Sequence, residues 1–530
     1  MPRNGVVVAP QPSAAETGAE ILAAGGTAFD AAVATALVQT VVDPFMCGIG
    51  GIGVAQVYDA ATRESAIIDF YGRVGSRATP DQWAKSARRS AEGKTYVKDF
   101  PNHLGYRSIL VPATVAGLAA VHAQGGRLPW RDLVLPAARI AREGFPFYAY
   151  ITDYFLETHQ YPRGEHVPPF DQFVRATPAM AALWHHPDGR LYQVGDHFAN
   201  PDYADTLTQL SEAGPDDFYR GALAERIAAD FAANDALVTA NDLANCRAIV
   251  RPPLRGSYRG HDLATASPGG TTILQTLNIL EGYNLASLAH GSTAHLHLVA
   301  SAMRLAFGDR AQLTGELAQD EAAIAQLVSK DRATELRARI ASADLPTTAL
   351  AATPGTTHLT VADRHGNVNT HDHPRARLRR RHPRSRLHLQ QRHAQLRPLP
   401  GKPNSIAPAR LLLRDVAHRR LPRRPAYAAL GPGSNAIVSA VAQVISNLLD
   451  FGLDLPPPSP SRASTAAVSP ARIAHPARRR HSPCRPRPSP HLAPLRHRLP
   501  PGSHPTRRRH QRPLDRCLRP RRDGGIAAYA

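Results

Sequence analysis

Apolar and polar residues alternate over 54–58 and again over 65–70, with Ala60-Ala61-Thr62-Arg63 between them, which predicts a hairpin of two strands. The same two-residue period returns at 356–363. There Leu359 and Val361 stand between polar neighbours, and Asp363-Arg364-His365-Gly366 predicts the turn that folds this half-buried strand into a hairpin. A further short strand is expected over 5–9. Elsewhere the period is helical. Ser13-Ala14-Ala15-Glu16 has the form of a capping box and opens a short helix that Gly25-Gly26 ends. Thr27-Ala28-Phe29-Asp30 is a second such box. The alanine-rich run after it, to about residue 38, is small on all sides, which suits a helix packed between layers. Helices are also expected over 133–142, over 295–307 with Leu298, Ala302 and Leu305 on one face, and over 437–451.

With 530 residues the chain can hold two ordinary domains or one large layered one. Cys47, Cys246, Cys484 and Cys517 lie far apart with no Cys-x-x-Cys pair, which argues against a zinc site and a disulfide framework and predicts free thiols in a reducing compartment. Residues 1–4 run straight into the first strand, and no later stretch approaches 18 consecutive apolar residues, so a cytoplasmic protein without membrane partners is expected. The net charge of +20 is unevenly spread. Residues 371–530 carry 33 Lys and Arg against 6 Asp and Glu, and 25 of the 47 prolines, whereas residues 1–370 carry 30 against 37. All of the excess positive charge therefore belongs to the last 160 residues.

Candidate chemistry sits at the start of the 356–363 strand. Thr353-Pro354-Gly355 cannot continue a helix, and Gly355 leaves its carbonyl open to attack by the next side chain. If the chain is cut between Gly355 and Thr356, the new α-amine, with a pKa near neutral, lies beside the Thr356 hydroxyl and can serve as its base. From the residues alone, a Thr-Thr pair at a strand start is far more often ordinary β-propensity. The loop Gly48-Ile49-Gly50-Gly51-Ile52-Gly53 lacks the Lys-Ser/Thr of a phosphate-binding loop and is read as a backbone-packing or oxyanion-side loop. His295 and His297 flank a helix start with no third ligand at a suitable spacing, so no metal site is expected there.

Thr356-Thr357-His358-Leu359-Thr360-Val361-Ala362-Asp363-Arg364-His365-Gly366-Asn367 resembles the start of the small subunit in the gamma-glutamyltransferase (glutathione hydrolase) family of N-terminal-nucleophile hydrolases. The run from Ala24-Gly25-Gly26 through Ala36-Leu37, followed by Gly48-Ile49-Gly50-Gly51, is similar to that family's large-subunit start. Val111-Pro112-Ala113-Thr114, Phe218-Tyr219-Arg220-Gly221, Ser267-Pro268-Gly269-Gly270 and Leu277-Asn278-Ile279-Leu280-Glu281 follow in family order. The resemblance implies an α/β (α+β) fold, a four-layer αββα sandwich made from one precursor. Residues 1–355 would correspond to the large subunit and 356–455 to the small one. It further implies Thr356 as nucleophile, Gly355 as the cleavage position, and Thr357 and His358 as supporting residues. The substrate class is a gamma-glutamyl or other small-molecule amide, with water or an amino acid as acceptor. No metal or organic cofactor is needed.

The family's Asp-Phe-Arg-Glu stretch, whose arginine clamps a substrate carboxylate, reads Asp69-Phe70-Tyr71-Gly72-Arg73 here. Arg73 is the candidate for that contact, with Arg77 near it. Leu430-Gly431-Pro432-Gly433-Ser434 is similar to the family turn whose N–H groups stabilise the oxyanion, which makes Gly433 and Ser434 candidates. From His371 the family text breaks, with no legible second hairpin strand and no substrate-amine segment. It is interrupted at about 371–397 and 410–424 and lost in the Arg/Pro-rich tail of 456–530. Two readings of these blocks compete. Basic arms could bind nucleic acid, but no aromatic residues interleave them for base stacking. The preferred reading is translation out of frame: family text stops and resumes abruptly, and 5 Lys against 58 Arg points to GC-rich coding. Three alternatives stay open for function: a related amidase with another acyl group, an unprocessed and inactive homologue, and a nucleic-acid-binding protein.

Overall fold

In chain order the elements that build the layers are β1 (Gly5–Val8), α1 (Pro12–Ala23), α2 (Ala28–Val42), β2 (Gly53–Asp59), β3 (Glu64–Phe70), α3 (Thr114–Gly125), α4 (Trp130–Glu143), α5 (Pro201–Ala213), β4 (Ile249–Arg251), β5 (Leu254–Tyr258), β6 (His261–Thr265), α6 (Gly269–Glu281), α7 (Thr293–Arg310), α8 (Lys330–Ala341), β7 (Thr356–Asp363), β8 (Val368–Pro374), β9 (His418–Leu421) and α9 (Asn435–Asp450). The structure is a computed structural model that describes residues 5–89, 95–99, 101–102, 105–149, 151, 178–267, 269–311, 320–342, 344–345, 356–374, 377–381, 388–391, 418–421 and 435–453. All of these lie in the unit formed by residues 1–469.

Six strands pair antiparallel in the order β1-β7-β8-β2-β3-β4, and a second sheet has the order β9-β6-β5. Helices α1 to α5 pack on one face of the six-stranded sheet. There Ala55, Val57, Ile68, Phe70, Leu359 and Val361 join Val33, Leu37, Leu118 and Leu207 in one core. Each strand sends alternate residues to opposite faces. On the other face, Val54 and Ile67 meet Ala266, and Gln56 Nε2 donates to the carbonyl of Ala264 at 3.1 Å, which joins the two sheets. Helices α6 to α9 cover the far side of the second sheet, with Tyr258, Leu263, Leu277, Leu305, Leu336 and Val441 in a second core. The layers are therefore helix, sheet, sheet, helix, as the resemblance implied.

All fifteen residues of α2 are buried, and the Thr27–Asp30 capping box is formed in both directions. A helix without a polar stripe has nowhere to go but between layers, here between the sheet and α1, α3 and α4. The hairpin β2–β3 forms as expected, with Arg63 at φ 59° in its turn, and Gly366 at φ 89° closes the β7–β8 turn. The glycine-rich loop serves packing. Gly51 O accepts from the N–H groups of Ala113 and Thr114 at 2.7 and 3.0 Å, which fixes the start of α3. At Gly117 of α3 a Cβ would meet the Phe70 ring at 2.1 Å, so the absent side chain sets how closely α3 approaches β3.

Two expectations are corrected. The Ser13–Glu16 box does not open α1. The helix begins at Pro12, whose missing N–H costs nothing at the first turn, and Gln11 stands at the cap position without a side-chain cap bond. The second hairpin strand, not legible from His371 onward, is present: β8 runs through His371-Asp372-His373 to Pro374 between β7 and β2. Its neighbours' hydrogen bonds impose the strand on residues whose own pattern does not specify it. Beyond it, Arg377–Arg381 pairs antiparallel with His388–Gln391.

Candidate active site

Thr356 is the first residue of β7, a central strand, and stands opposite Pro374; Thr357 faces His373 and His358 faces Asp372. On the other side of β7, β1 pairs only from Gly5↔Asp363 to Val8↔Thr360. Past Val8 the chain reads Ala9-Pro10-Gln11-Pro12, and prolines cannot donate to a ladder. Positions 356–359 thus project beyond their neighbour, with no strand beside them on that side among the described residues.

Two buried glutamines occupy this gap. Gln39, from α2, directs Nε2 at the carbonyl of His358 (3.1 Å), at Thr357 Oγ1 (3.3 Å) and at Gln11 Oε1 (2.8 Å). Gln11 Nε2 donates to Thr357 Oγ1 at 3.2 Å and to Asp43 Oδ2 at 2.5 Å. Gln11, Gln39, Asp43 and Thr357 are all buried. On the opposite face of β7, His358 Nδ1 lies 2.6 Å from Asp372 Oδ1, and its Nε2 lies 3.0 Å from Thr360 Oγ1 and 3.1 Å from Thr370 Oγ1. Both ring nitrogens are engaged. Asp372, Thr370, Gln11 and Gln39 were not singled out in the sequence. Their partners lie up to 346 residues away, and no local spacing signals such contacts.

Asn369, His371 and His373 share the helix-facing side of β8 and are fully buried. Their side-chain nitrogens and the Asn369 amide oxygen have no hydrogen-bond partner among the described residues. Burial holds the His371 ring well below the usual imidazole range and lowers His373 to about 4, in both cases with the nearby His358 adding to the effect.

Strand β3 ends at the Thr356 end of the sheet, because Phe70 pairs with Gly53, the neighbour of Val54, which pairs with Asp372. Tyr71, immediately after it, is buried; Arg73 is exposed and close enough to Asp69 to lower its pKa. Asp69 is nonetheless raised overall, since burial outweighs the N–H of Tyr71 and the guanidinium groups of Arg251 and Arg73. Arg77 is engaged elsewhere, with Asp235 at 2.7 Å and the Ala236 carbonyl at 2.9 Å. Gly355, Gly433 and Ser434 lie outside the described residues, so Thr356, Thr357 and His358 are the adjacent candidates the structure brings together. Among the described residues no group of three or more His, Cys, Asp or Glu could hold a metal ion, and His295 instead accepts from the Gly291 N–H at 3.1 Å. Cys47 and Cys246 are free thiols. No helix among the described residues is long and apolar enough to cross a membrane.

The family model for gamma-glutamyltranspeptidase matches residues 14–370. The chain is 33% identical over 464 residues to the acylase ACY 1 proenzyme of Pseudomonas sp. (strain SE83), covering 85% of this chain and 80% of the relative. It is 27% identical over 483 residues to the glutathione hydrolase proenzyme of Bacillus subtilis (strain 168), covering 86% and 79%. Among solved structures, cephalosporin acylase from Bacillus halodurans superimposes with a TM-score of 0.67 at 28% identity, over 85% of this chain and 81% of that one. Helicobacter pylori gamma-glutamyltranspeptidase gives 0.57 at 29% identity, over 66% and 94%. The chain therefore belongs to the gamma-glutamyltranspeptidase family of amidohydrolases and acyltransferases.

Proposed function

We propose that the chain cuts itself between Gly355 and Thr356 and that Thr356 is then the nucleophile of an amidohydrolase acting on gamma-glutamyl amides such as glutathione. The Thr356 hydroxyl oxygen bonds to the amide carbonyl carbon while its proton passes to the new α-amine, and that amine then delivers the proton to the leaving nitrogen as the carbon–nitrogen bond breaks, which leaves an acyl ester on Thr356 and a free amine. Water or an amino-acid acceptor then takes the acyl group. Thr357 and His358 position the strand, because both His358 ring nitrogens are already occupied. Gly433 and Ser434 supply the oxyanion contact, and Arg73 meets the acyl carboxylate. The two pieces of the precursor are partners of each other, and nucleic acid is not a partner. The observation that carries this reading is Thr356 at the head of a central strand, beyond the end of β1.

A second reading keeps the reaction and changes the acyl group. Tyr71, rather than an arginine, is buried where β3 reaches the Thr356 end of the sheet, and a relative named an acylase is 33% identical to the chain against 27% for one named a glutathione hydrolase at similar coverage. Assay of the purified protein on a gamma-glutamyl anilide beside anilides of other acyl groups separates the two. Release from the gamma-glutamyl compound supports the first reading, and release from the others alone supports the second.

A further inference from the structure

The end of β7 is fixed by side chains where a strand is missing. After Val8 the β1 ladder stops, yet the carbonyl of His358 and the hydroxyl of Thr357 are still met by donors, the Nε2 groups of Gln39 and Gln11. Gln39 comes from the last turn of a fully buried helix and Gln11 from the turn between β1 and α1, so neither is free to follow the strand if it shifts. The two amides also bond each other, and Gln11 is held by Asp43 at the end of α2. A buried amide N–H group costs free energy unless its bonds are made, which ties the geometry of Gln39 to that of residues 357–358.

We propose that Gln39, with Gln11, is a positioning residue for Thr356: the pair takes over where the β1 ladder ends and pins residues 357 and 358 from the helix side. The proposal rests on Thr356 being the self-cleaving nucleophile. Reactive atoms must be held to within a fraction of an ångström, so loosening the strand slows the chemistry before it unfolds the protein.

The test uses the full chain and follows appearance of the piece beginning at Thr356 by mass spectrometry, beside a thermal melt. Gln39→Met keeps length and removes the donors. The expected result is cleavage slowed at least tenfold in a variant that still melts cooperatively, with kcat on a cleavable anilide reduced and KM within twofold. Gln11→Leu removes one of the two donors to Thr357 and is expected to show a smaller slowing, which provides the reading if Gln39→Met does not fold. Wild-type cleavage rate and kcat in folded variants would overturn the positioning role and leave the nucleophile intact. An uncut wild-type chain would instead overturn the nucleophile itself, and the positioning role with it.

Discussion

His358 Nδ1 and Asp372 Oδ1 stand 2.6 Å apart on paired positions of β7 and β8, both side chains buried. The bond crosses the hairpin two residues from Thr356 and fixes the orientation of a ring whose other nitrogen faces two threonine hydroxyls. Replacing Asp372 by Ala leaves the His358 ring facing a buried void, and a hydrogen bond to a charged group contributes about 2 kcal/mol. Chemical denaturation of the full chain is expected to show a loss of that order, smaller for Asp372→Asn. No loss in either variant would mean that the pair contributes nothing to the hairpin.

The two orphaned histidines of β8 predict acid sensitivity of a stated sign. In the unfolded chain both bind a proton near pH 6.5, while in the folded chain His373 stays neutral down to about 4 and burial holds His371 well below its ordinary range. Between these values the unfolded state holds more protons, so stability is greatest above 6.5 and falls as pH drops through the window. For His373 the span corresponds to about 3 kcal/mol. Its neighbours include the rings of His371 and Phe70, and neither offers a hydrogen bond. His373→Val is therefore expected to raise stability at pH 7 and to flatten the acid side of a stability-versus-pH curve. An unchanged curve would contradict this account.

Asp450 ties the last described helix to the body. Its carboxylate, 3% exposed, accepts from Arg259 Nε at 2.7 Å and from Tyr258 and Ser446 hydroxyls at 2.6 Å. Among the described residues it makes the only ion pair that spans position 355, so after a cut there it joins the two pieces. Asp450→Ala strands the Arg259 charge and is expected to cost about 3 kcal/mol. Gel filtration of the processed protein in mild denaturant is expected to release the C-terminal piece at lower concentration than in the wild type. Equal retention would show that the ion pair is not needed to hold it.

Local chemistry was legible where one segment determines its own structure. The Thr27–Asp30 box, the all-buried α2 and both hairpin turns follow from spacing, and the family order extends to the point where its match ends, at residue 370. What the sequence hid depends on tertiary neighbours. Ser13 looked like the better cap, yet Pro12 starts the helix and Gln11 turns its amide to Thr357. His371-Asp372-His373 carries no apolar period, yet two flanking strands make it a strand and bury it. The price is visible in the unpartnered rings. The same strand carries Asn369 without a partner as well, inside the family match, so the mismatch belongs to the helix-facing side of β8 as a whole.

The measurement that bears most directly on the central claim is denaturing mass spectrometry of the purified wild type beside Thr356→Ala. The wild type is expected as two pieces, the second with Thr356 at its N-terminus, and the variant as one uncut chain. A single intact wild-type chain, or a variant cut at the same place, would contradict the assignment of Thr356 as the self-cleaving nucleophile.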